Sequence, residues 1–124
     1  MIKEAFISFD TAKLMKEKGF DEPCPYFYRF DRNEIYSGTA FTNTQIGDKF
    51  YNAPTQQMAM RWIREVHNIA IEPYAAAYRF GFTLSKIPTG SHILNEADVY
   101  PNDEFETWED AIEAALKHVL TKMI

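Results

Sequence analysis

The chain has 124 residues, of which ten are Phe, seven Tyr and two Trp, and it carries a net charge of -5. A single domain of this size buries roughly two thirds of the surface its unfolded chain exposes, so it holds a core without metal or disulfide staples, and two full domains are excluded. So many aromatic rings exclude a disordered chain, and the acidic balance sets the molecule against a phosphate backbone unless its cations gather on one face.

The cations do not gather in sequence, but the acids do. Glu96 to Glu113 holds eight acids and no Lys or Arg, leaving the rest of the chain at +3. Acids before and within the first turns of a helix are favoured by its dipole, a simpler reading than an acidic docking surface. The single cysteine, Cys24, excludes an intramolecular disulfide and a multi-cysteine zinc site, and it suits a reducing compartment. Met1 to Phe9 is too polar for a secretory segment and no membrane-length apolar run occurs, so the expected location is cytoplasmic, with no membrane contact.

The first helix is expected over Phe9 to Lys18, capped by Ser8 or Asp10 and stopped by Gly19, with Phe9, Ala12, Met15 and Phe20 on its apolar side. Pro23 and Pro25 make a corner, because each removes a backbone donor and restricts the residue before it. The run Tyr26 to Phe30 has strand propensity, and a turn at Asp31 to Glu34 returns through a shorter strand at Ile35-Tyr36. From Ser37 to Asn52 the pattern is weak and reads as loop. Pro54-Thr55 opens the second helix, whose Ala59, Trp62, Ile63 and Val66 share one face, and Asn68 ends it.

Ile69 and Ile71 predict a short strand, connected by Pro73 to Ala77 to a strand over Tyr78 to Lys86. In the latter, Tyr78, Phe80, Phe82 and Leu84 alternate with Arg79, Gly81, Thr83 and Ser85, as in a sheet covered on one face. A loop through Pro88, Gly90 and Pro101 follows, with a short strand near His92 to Leu94. Thr107 with Asp110 opens the last helix, whose stripe is Trp108, Ile112, Ala115, Leu116, Val119 and Met123. Three helices on one face of a mainly antiparallel sheet of four or five strands make the expected fold class α+β, in a single domain over residues 1–124.

The residues give little chemistry. His67, His92 and His118 lie far apart with no metal-ligand spacing, so no metal and no cofactor are expected. His67 and His118, near helix ends, would favour the negative end of the dipole when protonated. Cys24 has no histidine nearby in sequence to lower its pKa and reads as a packed thiol. Glu109 and Glu113 lie one turn apart and read as solvated helix acids rather than a catalytic dyad. No catalytic residue is expected. Arg79-Phe80-Gly81-Phe82 partly resembles the aromatic strand of the RNA-recognition fold, but an extra first helix, a missing glycine and the acidic charge depart from it, and Phe80 with Phe82 fit core positions.

Ser8-Phe9-Asp10-Thr11-Ala12-Lys13-Leu14 with Lys18 to Cys24, Ala53-Pro54-Thr55-Gln56-Gln57 with Trp62 to Ile69, and Phe105 to Ala111 with Ala114-Ala115-Leu116 and Leu120 form a set. In these segments the chain resembles a group of small uncharacterised proteins encoded by gut anaerobic bacteria and their phages or mobile elements. The resemblance leaves out Ser37 to Phe50 and Tyr74 to Pro101. It implies a cytoplasmic accessory protein and brings no activity, cofactor or catalytic residue.

The expected function is therefore non-catalytic binding of another protein, whose identity the sequence leaves open along with self-association. The candidate surface is the sheet's second face, with Arg79 and Thr83 pointing away from the helices beside Phe27 and Arg29. One alternative is single-stranded nucleic-acid binding on that sheet, disfavoured by charge. Another is a small hydrolase or transferase with a pocket near Cys24, His67 or His92.

Overall fold

The computed structural model describes residues 2–87, 92–95 and 104–124. In chain order the elements are helix α1 (Phe9–Glu17), strands β1 (Cys24–Arg29) and β2 (Ile35–Phe41), helix α2 (Asn43–Ile46), strand β3 (Phe50–Asn52), helix α3 (Gln56–His67), strands β4 (Ile69–Ala75), β5 (Phe80–Lys86) and β6 (His92–Asn95), and helix α4 (Trp108–His118). A π-helical turn, Val119–Met123, prolongs α4. The α+β class holds. The single sheet does not: the strands form two three-stranded antiparallel sheets, ordered β2-β1-β3 and β4-β5-β6. The expected loop at Pro88, Gly90 and Pro101 lies outside the described residues, as do Glu96, Asp98 and Asp103.

Caps set the helix limits. Ser8 accepts from the Thr11 backbone N–H to start α1, and Gly19, at φ +91°, lets the chain leave it in a conformation that side-chain-bearing residues rarely adopt. Thr55 and Thr107 do the same work for α3 and α4, each accepting from the amide three residues on. Asn68 closes α3 in the left-handed region, φ 59°. Past α4, Thr121 donates its hydroxyl to the Lys117 carbonyl, an i−4 back-bond of the kind that bends helices, and the Ile124 amide reaches back to Val119.

Between the sheets and helices runs one core. Phe9 of α1 packs edge-on against Tyr28 and Tyr51 of the first sheet, while α3 and α4 pack on the second. Ala12, Met15, Ile63, Phe82, Leu84, Ile112, Ala115, Leu116 and Val119 are fully or almost fully buried, and Trp62 packs edge-on against Phe20 at 5.4 Å. Burying a Met, Ile, Leu, Val or Phe side chain in this way is worth about 1.5–3 kcal/mol. Val66 departs from the expected apolar face of α3: it is 55% exposed, on the outer side of the helix. Tyr78 lies in the turn before β5 and is almost wholly exposed, whereas Phe82 and Leu84 fill the core as their alternation predicts.

The other side of β5 is not bare. Gly81 stands directly across from Tyr74, whose ring covers it so closely that a Cβ at position 81 would come within 2.6 Å of Cζ. An aromatic ring over a cross-strand glycine shields the backbone that a side chain would otherwise cover.

The weak region from Ser37 to Asn52 holds most of β2, α2 and β3, anchored by contacts distant in sequence. Asn43, buried, donates to the Phe20 carbonyl and accepts from the Asn52 amide. Asp21 accepts from the Thr44 amide at the start of α2, which holds its carboxyl below the ordinary carboxylate range.

Candidate functional site

Cys24 and Glu113, two of the groups with nucleophilic or acid–base chemistry, hold structural places. Cys24 is buried, and its thiol lies 3.6 Å from the Glu22 carbonyl. Loss of water, then the nearby Glu22 charge, pushes its pKa up to about 11, the reverse of what a thiolate nucleophile needs. Glu113 does not pair with Glu109 as a dyad. Its two carboxylate oxygens accept from the Ser8 backbone N–H at 2.9 Å and the Thr11 hydroxyl at 2.7 Å, binding α4 to the N-terminus of α1.

His67 packs edge-on against Trp62, and its Nε2 is buried with no hydrogen-bond partner among the described residues. His118 reverses the expectation for a helix-end imidazole. The helical path continues for another turn, so burial, aided by Lys122, holds its pKa below the usual value instead of raising it. The side chain of His92 lies outside the described residues. No group of three or more His, Cys, Asp or Glu side chains placed to hold a metal ion occurs among the described residues.

The four candidate binding residues do not share a face. Phe27 and Arg29 belong to β1 in the first sheet, whereas Thr83 is on β5 in the second and Arg79 precedes it in the turn. Pairing partners decide which strands share a sheet, and β1 is taken by β2 and β3. Arg29 pairs with Asp31 at 2.9 Å, Arg79 with Glu106 at 3.4 Å, and the Thr83 hydroxyl donates to Glu72 at 3.3 Å. The RNA-recognition arrangement fails for the same reason. Its two central strands would be β1 and β5, which lie in different sheets, and Phe82 is buried against Phe105 rather than presented to a base.

Of the four, Phe27 sits in a formed site. Its ring stacks on Tyr36 at 6.2 Å and meets Phe50 edge-on at 5.4 Å. With Gly38, Phe41, Gln45, Ile46 and Phe50 it lines a groove of about 320 Å³, mostly apolar. Pro25 creates the opening. Lacking an N–H, it interrupts the ladder of a central strand, and β2 answers with a bulge: between Tyr26↔Ser37 and Cys24↔Phe41 it carries two more residues than β1. Gly38 lies in the bulge beside the Phe27 ring, which a Cβ there would meet in ordinary van der Waals contact at 3.5 Å.

The far wall is α2, fixed by a reciprocal cap: the Gln45 amide donates to the Thr42 hydroxyl, and the Thr42 amide donates to the Gln45 side chain. The Thr42–Gln45 spacing is the one sequence signal of α2, which the reading of Ser37 to Asn52 as loop did not use.

The two edges of this sheet differ. At β3, Lys16 donates to the Phe50 carbonyl at 2.8 Å and Asn43 takes the Asn52 amide, so side chains cover the edge. At β2, the sequence Ile-Tyr-Ser-Gly-Thr-Ala-Phe has no charge and no proline, and six of its seven residues are exposed. Natural edges are commonly blunted by charge or proline; among the described residues the bulge is what interrupts this one. Comparison with protein-family models, curated proteins and solved structures finds no match.

Proposed function

We propose that the chain is a non-catalytic protein-binding module that holds its partner through the Phe27 groove and the adjoining strand β2. It acts as a cytoplasmic accessory protein of the phage or mobile-element kind that the resemblance implies. The observation that supports this reading is the apolar lining of the groove, where Phe27, Phe41, Ile46 and Phe50 meet and Phe41 is exposed at the rim. Ile35 also leaves apolar surface on β2, on the opposite face of the sheet, since it stands across from Tyr28. A groove of this volume lies at the small end of the ~300–1,000 Å³ range of ligand pockets and suits one or two apolar side chains of a protein partner. No described helix is long and apolar enough to cross a membrane.

The test is gentle recovery of the tagged protein from its host at low salt, beside a Phe41→Lys variant. Phe41 is 44% exposed at the groove rim, so the variant keeps its fold and thermal midpoint. A companion protein held by the parent and lost by the variant supports the reading. Equal retention by both overturns it, and nuclease-sensitive ultraviolet absorbance in place of a protein transfers the surface to single-stranded nucleic acid.

A further inference from the structure

A second concavity, separate from the Phe27 groove, runs between α3 and β4. It measures about 500 Å³, and its lining includes Met58, Arg61, Arg64, Ile71, Pro73 and Trp108. Its composition stands out against the rest of the molecule. The chain carries a net charge of -5, yet among the described residues this groove is lined by two arginines and no acid.

The arginines follow from the helix repeat. Met58, Arg61 and Arg64 recur every three residues along α3, and positions so spaced are neighbours on a helix surface. The Arg64 guanidinium has no ion pair or hydrogen bond among the described residues. Arg61 is held only by Glu65, through Nε at 3.1 Å, in an i,i+4 pair whose two side chains are more than half exposed. Exposed pairs of this type are weak and yield readily to a competing carboxylate.

The floor and end wall are apolar. Met58 is 41% and Trp108 38% exposed, and the Trp108 ring is steadied edge-on by Phe80 at 6.3 Å. Exposed methionine adapts to varied side chains, while a tryptophan ring gives a large rigid contact. Guanidinium forks match carboxylates with paired hydrogen bonds.

We propose that the α3–β4 groove docks a short acidic segment of a partner protein, its carboxylates on Arg61 and Arg64 and an adjacent apolar side chain against Met58, Ile71 and Trp108. Charge selects this occupant over nucleic acid. A short peptide places a few carboxylates against the local cations, whereas a long phosphate backbone extends across the surrounding surface of an acidic molecule. The inference stands apart from the Phe27 groove, and each can fail alone.

The experiment selects a displayed library of random dodecamer peptides on the full-length chain, then titrates the recovered peptides against its fluorescence. Trp62 is 7% exposed, so a change on binding reports Trp108. The expected result is enrichment of Asp or Glu beside Leu, Phe or Trp. Affinity then falls about tenfold or more in Arg64→Ala and further in Arg61→Glu/Arg64→Glu, with circular dichroism unchanged. Peptides with their acids replaced by Lys should bind the charge-reversed protein and not the parent, a gain that misfolding cannot produce. Phe41→Lys should bind the same peptides as the parent. Selection without acid enrichment, or acidic peptides held equally by Arg64→Ala, overturns the proposal. So does an oligouridine that binds more tightly than any selected peptide and loses affinity in Arg64→Ala.

Discussion

Cys24 shows how one residue's surroundings decide its chemistry. The proline on either side fixes the corner at the start of β1, where Cys24 is 5% exposed with its thiol beside the Glu22 carbonyl. With its pKa raised from 9.0 to about 11, the folded thiol holds about a hundredfold less thiolate at pH 8 than a free one, so iodoacetamide should alkylate native protein slowly and urea-unfolded protein fast. The sign for stability follows. Between pH 9 and 11 the unfolded chain loses this proton before the folded one, so the thiol's contribution is full below pH 9 and declines as pH rises to 11. Tyr28, buried with its hydroxyl donating to the Ile7 carbonyl, is shifted in the same direction. Urea midpoints measured against pH should therefore fall less steeply for Cys24→Ala than for the parent. Equal slopes, or rapid native alkylation, would show an ionisable, reachable thiol. The packed thiol was legible in sequence because no histidine stands near it. The Pro25 bulge was not, since it depends on which strand comes to lie opposite.

At the scale of elements, caps are local and sheets are not. Ser8, Thr55, Thr107 and Asn68 announced the limits of α1, α3 and α4 because each acts on amides or backbone within a few residues. The short α2 is not legible in the sequence, although Thr42 and Gln45 have capping-box spacing, because four residues have no apolar periodicity and owe their place to Phe20, Asp21 and Asn52. Glu113 is the corresponding long-range joint between helices. Its carboxylate takes two hydrogen bonds from the first turn of α1, where an anion is also favoured by the dipole. Hydrogen bonds to charged groups are worth about 1.5–3 kcal/mol each, and removing one partner strands the other. Glu113→Ala should thus cost about 2–4 kcal/mol in urea unfolding, and Glu109→Ala, one turn away and exposed, under about 0.5 kcal/mol. Similar losses at the two positions would mean that the joint contributes nothing beyond a surface acid.

For the molecule as a whole, the sequence made the class legible but not the partition of its strands. Alternation in β5 located Phe82 and Leu84 in the core, yet nothing in β1 states that it pairs with β2 and β3 rather than with β5, since pairing is a contact between segments far apart in the chain. The candidate residues are divided accordingly: Phe27 lies in a groove, while Thr83, on the other sheet, and Arg79, in the turn before β5, are engaged by Glu72 and Glu106. Two sheets raise the question of whether the molecule unfolds in one step. Phe9 and Met15 of α1, Trp62 of α3 and Leu116 of α4 belong to one continuous set of packed residues that reaches both sheets, so neither sheet can lose its cover without exposing the other's. A chain under 150 residues with one such core should unfold as a unit. The two tryptophans make this measurable. Trp62, against Phe20, reports the core, and Trp108, against Phe80, reports the second sheet. In Trp108→Phe the fluorescence of Trp62, and in Trp62→Phe that of Trp108, should give the same urea midpoint as far-ultraviolet circular dichroism on the same variant. Within each variant a fluorescence midpoint displaced from the dichroism midpoint would divide the molecule into two cooperative units, with the sheets as their natural boundary.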